Sequence, residues 1–392
     1  MSWPLVKLGD LFKVTSGGTP SRKKSEYYDG GDIHWVKTGD LHNKYVRSAS
    51  EFITQEGLDG SSARLYPKGT VLVAMYGATI GACSILDIEA ATNQACAAFT
   101  PTEKVDSVFL YYLLKHSKPA FVKAGSGGAQ PNISGTFLKN FEIPLPPLDE
   151  QKRIAAILDK VDAIRQKRKQ AIGLADEFLR GVFLDMFGDP VTNPKGWGVR
   201  KLQDLTSKLG SGSTPRGGKE AYLSAGISLI RSLNVHDNTF IYKDLAFISN
   251  EQAEKLKNVV VQEQDILLNI TGASVCRCTM VPSNVLPARV NQHVCIVRVD
   301  RELLLPEFAK RLITSTSFKQ MLMRIATSGG ATREALTKQQ VENLTLIVPP
   351  MELQKKFCDI VGKVLDIDTK TNKQVAFPLF DSLSQKAFSG QL

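Results

Sequence analysis

The run Pro146-Pro147-Leu148-Asp149-Glu150-Gln151-Lys152-Arg153-Ile154 decides the fold, because the chain contains it twice. Pro349-Pro350-Met351-Glu352-Leu353-Gln354-Lys355-Lys356-Phe357 repeats it position for position. The prolines hold the entry extended. Asp149 and Glu150 then fall in the first turn of a predicted helix, where the partial positive charge of the N-terminus favours acids. Apolar or small residues follow at Ile154, Ile157, Val161, Ile164, Ala171, Ala175, Phe178 and Val182, with Arg168 filling the one gap. Steps of three and four over about four heptads predict a coiled-coil seam. Gly188 and Pro190 end it, after a rod of roughly 55–60 Å. The second copy carries its seam through Phe357, Ile360, Val364 and Ile367, and Pro378 predicts a kink. Two long helices of this kind in one chain predict each other as partners.

The repetition extends beyond the helices. Trp3 to Leu11 matches Trp197 to Leu205, and Ser16-Gly17-Gly18-Thr19-Pro20 matches Ser211-Gly212-Ser213-Thr214-Pro215. Ile33 to Leu41 matches Ile227 to Val235, with Lys37 opposite Arg231. Val71 to Thr79 matches Ile266 to Ser274, Asn93-Gln94 matches Asn291-Gln292, and Gly127-Gly128-Ala129 matches Gly329-Gly330-Ala331. Buried strands are predicted at Val71–Met75 and Ile266–Ile270, and helices at Ser107–Leu114 and Pro306–Thr314. The fold class is therefore mixed α/β, with two pseudo-repeated globular α/β domains separated by two long antiparallel coiled-coil helices. The segments are 1–147 (first globe), 148–190 (central helical spacer), 191–350 (second globe) and 351–392 (C-terminal helical spacer).

The 392 residues carry a net charge of +10. The excess is uneven. Residues 149–190 are neutral, whereas residues 191–350 hold 20 basic against 13 acidic side chains. A basic globe suits a polyanionic partner. No run of 18 apolar residues occurs, so no membrane span is expected. Met1 to Asp10 shows no basic-then-apolar leader, and the chain reads as cytoplasmic. The six cysteines form no CxxC pair. Cys276, Cys278, His293 and Cys295 match no common zinc spacing, and no metal is expected. Cys83 and Cys278 fall at one place in the repeat, as small buried strand residues.

Catalytic signatures are missing from the sequence. Gly212 to Glu220 resembles a phosphate-binding loop but fails on spacing and has Glu220 where a Mg²⁺-binding hydroxyl is required. Glu150-Gln151-Lys152 has no acidic partner at a nuclease-like distance and reads as helix-end electrostatics. No Gly-rich strand–turn–helix signature for a nucleotide or methyl-donor cofactor occurs, nor the Asn/Asp-Pro-Pro-aromatic tetrapeptide of amino-methylating DNA enzymes. The chain reads as a binder.

The doubled Pro-Pro-Leu-Asp-Glu-Gln-Lys-Arg-Ile start resembles the specificity (S) subunit of type I restriction–modification enzymes. So do the Ser-Gly-Gly-Thr-Pro loop, Tyr76-Gly77-Ala78-Thr79, Asn93-Gln94, Gly127 to Ser134 and the C-terminal Gln385 to Leu392. The second repeat departs from the pattern at Thr332 to Leu336, at Leu353 and at Pro378. The resemblance implies that the globes are two target-recognition domains, each reading one half of a bipartite site on double-stranded DNA. It implies that the helices set the spacing and dock two methyltransferase (M) subunits, and that nuclease-translocase (R) subunits join the full complex. No cofactor would be bound by this chain: S-adenosylmethionine belongs to the methyltransferase partner, and ATP and Mg to the nuclease partner. The rival reading, a coiled-coil adaptor binding a non-DNA ligand, accounts for the helices and the repeat but not for the family-like loops.

If the two globes read different sequences, residues shared at equivalent places are scaffold or backbone contacts, and differing ones read bases. The candidate DNA-binding residues of the first globe are Thr19, Arg22, Lys23, Lys24, Lys37, His42, Lys44, Tyr76, Thr79, Asn93, Gln94, Gln130 and Asn132. Those of the second are Thr214, Arg216, Lys219, Arg231, Asn234, His236, Thr271, Arg277, Asn291, Gln292 and Arg333. Arg pairs with guanine and Asn or Gln with adenine in the major groove.

Overall fold

The computed structural model describes residues 3–125, 132–215, 218–328, 334–372 and 378–392. It is mixed α/β and falls into two compact units: Met1–Gln170 with Asn372–Leu392, and Ala171–Thr371. These units cut across the four segments read from the sequence, because the helix Leu148–Phe187 contributes its first part to one and its last part to the other.

In the first unit a five-stranded sheet runs Thr15–Ser16, Cys96–Phe99, Val71–Ala74, Cys83–Leu86, Tyr45–Val46. Its middle strand is buried along its length. Val71 and Val73 face the core shared with the helix Ser107–His116. Leu72 and Ala74 face a second core with Val36, Leu41 and Tyr66. Period-two alternation between two apolar faces explains why the strand is a continuous apolar run. A second sheet, Glu51–Ile53, Ile33–Val36, Ala90–Thr92, Leu65–Tyr66, contains one parallel pairing, Trp35 beside Ala91. The ribbon Leu5–Lys7 with Glu142–Pro144 ties the start of the globe to the strand that leads into the long helix.

The second unit repeats this plan. One sheet runs Thr206–Ser211, Val294–Val299, Ile266–Asn269, Cys278–Met280. The other runs Ala246–Ile248, Ile227–Ile230, Ala288–Val290, Val260–Val261, again with one parallel pairing. Val199–Lys201 pairs with Thr345–Ile347 as the closing ribbon. Cys83 and Cys278 are buried in equivalent strands, and burial pushes both thiols up, Cys83 to about 12. Arg298 makes a two-pronged ion pair with the fully buried Asp265, at 2.7 and 2.8 Å.

The helix Ser107–His116 begins at Asp106, whose carboxylate accepts the Val108 and Phe109 N–H groups at 3.0 and 2.9 Å. Asp106→Ala is expected to cost about 1 kcal/mol of stability, measured as a lower urea midpoint at unchanged slope.

The signature glutamines are latches. Gln151 and Gln354 are 1% and 0% exposed. The Gln151 amide donates to the carbonyls of Pro146 at 2.9 Å and Lys104 at 3.1 Å, and its oxygen accepts the Asp106 N–H at 2.9 Å. Gln354 donates to Pro349 at 2.8 Å and Leu303 at 3.3 Å, and accepts from Leu305 N–H at 2.9 Å. The same three bonds in both units pin a helix start to its globe. Reading Glu150-Gln151-Lys152 as helix-end electrostatics missed this.

Each globe core takes in the start of one long helix and part of a second helix, Pro378–Phe388 in the first unit and the end of Leu148–Phe187 in the second. In the first unit Ile154 and Leu158 share the core with Phe380 and Ala387 of the helix Pro378–Phe388. There Phe388 packs on Phe109 with ring centroids 5.7 Å apart. Arg153 reaches the Leu392 carbonyl at 3.0 Å, while Arg165 stands 5.0 Å over the Phe380 ring. Rising number on one helix meets falling number on the other, so the pair is antiparallel. In the second unit Phe187, near the end of the long helix, packs on Phe308 at 4.8 Å, and Phe357, near the start of the helix Met351–Asn372, closes the cluster.

The seam needs correction. Of the seam, Ile154 and Phe357 are buried, and Ile157, Val161, Val182, Ile360 and Val364 are half-buried. Ile164 and Phe178, however, are 49% and 55% exposed. Leu158, Leu179, Phe183 and Phe187 are buried in their place, although the seam omitted them. The helix ends are built into globe cores, and the face that meets a globe takes in part of the heptad stripe together with residues beside it. The side chain of Ile367 lies outside the described residues. The kink expected at Pro378 depends on residues 373–377, between the helices Met351–Asn372 and Pro378–Phe388, which lie outside the described residues. Among the described residues no helix is long and apolar enough to cross a membrane.

Candidate nucleic-acid interface

The loop Ser16 to Thr19 is laid against the end of the parallel strand pair, and Ser211 to Thr214 likewise. A Cβ on Gly17 would fall 1.8 Å from the Thr92 carbonyl oxygen, and one on Gly212 1.8 Å from that of Val290. Only glycine permits this approach. The strap brings Thr19 onto Gln94 and Thr214 onto Gln292, each hydroxyl donating to the amide oxygen. The adjacent asparagines hold the turn. Asn93 N–H donates to Val36 at 3.0 Å and Asn291 N–H to Ile230 at 3.1 Å. Asn291 is 4% exposed, and its side-chain oxygen accepts the His293 N–H at 3.1 Å. Its side chain is therefore a scaffold group, while Gln94 and Gln292 are exposed.

Most of the candidate cations already have partners. Arg22 and Lys37 both pair with Glu51, and Arg22 also lies over the Tyr28 and Trp35 rings at 4.4 and 5.2 Å. The Lys37 hydrogen bond, aided by Arg22, holds the Glu51 carboxyl below the usual carboxylate range. Arg231, at the place of Lys37, donates to the Asp244 carbonyl and stands 5.1 Å over the Tyr222 ring. Lys23 is exposed, and Lys24 donates to the Tyr27 hydroxyl at 2.8 Å.

Two candidates are corrected here. Asn234 is fully buried; its oxygen accepts the Arg231 N–H at 3.1 Å and its amide donates to Ile241 at 2.8 Å. Asp40 caps Lys37 N–H in the same way at 2.8 Å. Asp40 and Asn234 are thus two versions of one turn cap. Lys44 pairs with Asp159 of the long helix beneath the Tyr112 ring, leaving its side chain 13% exposed. It fastens globe to helix, its charge already matched by a carboxylate.

Tyr76, Thr79 and Asn132 gather at one turn. Tyr76 is 44% exposed and bridges to the exposed Asn132, and the Thr79 hydroxyl donates to the Tyr76 carbonyl at 3.0 Å. His42 is exposed, with Nδ1 3.1 Å from the Gly39 carbonyl. In the second unit Thr271 bridges to Ala335. There His236, Thr271 and Arg277 line a groove of about 680 Å³ with Ser232, His293 and Glu334. Arg277 Nη1 lies 3.3 Å from His236 Nε2, and the Thr271 hydroxyl is hydrogen-bonded to His293 Nδ1. His293 escaped the sequence reading as a binding residue; the signal was its alignment with Ala95, one step past the shared Asn-Gln. Gln130, Arg216 and Arg333, and the Lys219 side chain, lie outside the described residues.

The profile of the type I restriction modification DNA specificity domain matches twice, over residues 2–174 and 194–376. The chain is 28% identical to the type I restriction enzyme MjaIX specificity subunit of Methanocaldococcus jannaschii, covering 100% of this chain and 93% of that one. It is 30% identical over 162 residues to the EcoR124I/EcoR124II specificity subunit of Escherichia coli, 40% of each chain. Among solved structures it is similar to a type I restriction–modification S subunit from M. genitalium, with TM-score 0.59 at 16% identity, over 99% of this chain and 96% of that one. With the domain present in two copies along most of its length, the chain belongs to the specificity-subunit family of type I restriction–modification systems.

Proposed function

We propose that this chain is the non-catalytic DNA-recognition subunit of a type I restriction–modification complex, each unit reading one half of a bipartite site. The observation that carries this is the repetition of scaffold without repetition of surface. The Thr–Gln clasp, the capped turn at Lys37 or Arg231 and the turn after the central strand recur. At that turn Tyr76 is replaced in the second unit by Thr271, Ala82 by Arg277, Ala95 by His293 and Asn132 by Ala335. One backbone frame presenting two sets of side chains suits two different half-sites. Half-sites one helical turn apart lie about 34 Å from each other, and the 40-residue helix is about 60 Å long.

In this reading the long helices set the spacing and dock two methyltransferase subunits, which bring S-adenosylmethionine. Nuclease-translocase subunits, using ATP and Mg, join for cleavage. The chain itself contributes phosphate affinity through its exposed cations, which weakens with salt, and base contacts at the turn.

The test is modified-base mapping of DNA from cells expressing the chain with its methyltransferase partner, against cells lacking the chain. A split motif methylated only when the chain is present is the expected result. Exchanging residues 191–350 for another second globe should then change one half of the motif and leave the other. A complex that co-purifies with the methyltransferase yet leaves the methylation pattern unaltered would argue for an adaptor instead.

A further inference from the structure

We propose that Arg277 reads a guanine in the half-site recognised by the second unit, held in place by His236; this rests on the half-site reading above. Arg277 stands on a fixed backbone. Its carbonyl accepts the Asn269 N–H at 2.8 Å, and its own N–H donates to Ser274 at 3.2 Å. Cys276 before it has φ 66°, the left-handed conformation that Gly81 takes in the first unit at φ 74°. There Ala74 and Ala82 make the same backbone bond at 2.8 Å. The two units therefore share this turn, and only the second places a long cation on it.

The surroundings favour a base edge over a phosphate. Among the described residues no carboxylate lies within ion-pair distance of Arg277, whereas Arg22, Arg298 and Arg311 are each paired. Its guanidinium donors are thus uncommitted apart from the contact to His236. The contact to His236 Nε2 fixes one edge of the guanidinium and leaves donors for a second, two-pronged contact, the geometry that matches O6 and N7 of guanine. Glu334 lines the same groove. A carboxylate there would repel a phosphate, but it is an acceptor for the exocyclic amine of cytosine.

The loop carrying His236 is held from below. The fully buried Asn269 donates to the carbonyls of Ser232 at 2.9 Å and Val235 at 3.3 Å. The first unit has Ala74 at that place. So the cation and the buried amide beneath belong to the second unit alone, while His236 stands where the first unit has His42. His236 is a positioning residue and Arg277 the specificity-determining one.

The experiment uses the full chain with its methyltransferase partner. Methylation motifs are mapped for wild type, R277A, R277K and H236A, and binding is measured on duplexes substituted one base pair at a time. R277A is expected to lose preference at one G·C pair in one half, with about 10–100-fold weaker binding to the wild-type site and the other half unchanged. R277K, which keeps the charge and loses the fork, should relax the same pair, and H236A should relax it partly. R277K decides the matter if R277A fails to fold. The assignment is overturned if both arginine variants keep the full motif, if binding weakens evenly with every position retained, or if the relaxed pair is A·T. A wild-type complex with no split motif overturns the half-site reading itself, and this assignment with it.

Discussion

Phe357→Ala is expected to lower the stability of the second unit by about 3–5 kcal/mol. Phe357 is fully buried, with Phe183, Phe187 and Phe308 at 5.5, 5.7 and 6.5 Å. These rings come from three helices: the start of one long helix, the end of another, and the globe. Phe187 meets Phe308 edge-on at 4.8 Å, and Phe183 stacks on it at 5.6 Å. Truncating the fourth ring opens a cavity lined by rigid rings that relax poorly, so both the transfer and the cavity contributions are felt. Typical domain stabilities are about 5–15 kcal/mol, so the loss is a large share. Chemical denaturation followed by circular dichroism would measure it. F357L should recover most of the loss by refilling the space; a wild-type midpoint in F357A would show that the helices are not held by this cluster.

The second large effect is expected at the latch. Gln151→Leu removes the partners of the buried Pro146 carbonyl and of the part-buried Lys104 carbonyl and Asp106 N–H. Each unpaired backbone group costs about 1–3 kcal/mol, and about 3–5 kcal/mol in all is expected once the loop relaxes. Gln354→Leu should do the same to the second unit through Pro349, Leu303 and Leu305. Glutamine is the residue that supplies two donors and an acceptor at this reach. Gln151→Glu exchanges both donors for a buried charge and should be at least as damaging. Hydrogen exchange gives the sharper readout: the Asp106 amide should lose protection in Q151L, while amides of the second unit stay protected. Unchanged protection would mean that water replaces the latch without loss.

The repeat, the mixed α/β class and the strands at Val71 and Ile266 were legible because they rest on local pattern. A two-faced apolar run, a proline pair before an acidic first turn and a glycine strap each carry their cause within a few residues. The candidate interface was legible in outline for the same reason. Aligning the repeat located the turn at Tyr76 and Thr271 and the clasp at Thr19 and Thr214. It did not distinguish Asn234 or Lys44 from surface residues, because a buried turn cap and a salt bridge to Asp159 depend on what lies opposite them in space. Nor did it single out His293, which matters only because the fold brings it onto Thr271.

By itself the sequence determined that this chain is built twice from one plan, globe then helix, and where each helix begins. Tertiary structure decided which helix end holds which globe. Phe388 lies on Phe109, and Phe187 on Phe308, across about 280 and 120 residues of chain. No local pattern encodes such pairings. The heptad stripe predicted a uniform seam, but burial at the helix ends followed the shape of the globe cores, so Leu158, Leu179 and Phe183 went inside while Ile164 and Phe178 stayed exposed. Apolar periodicity fixes that a helix has an inner face; the surfaces it meets fix which residues occupy it.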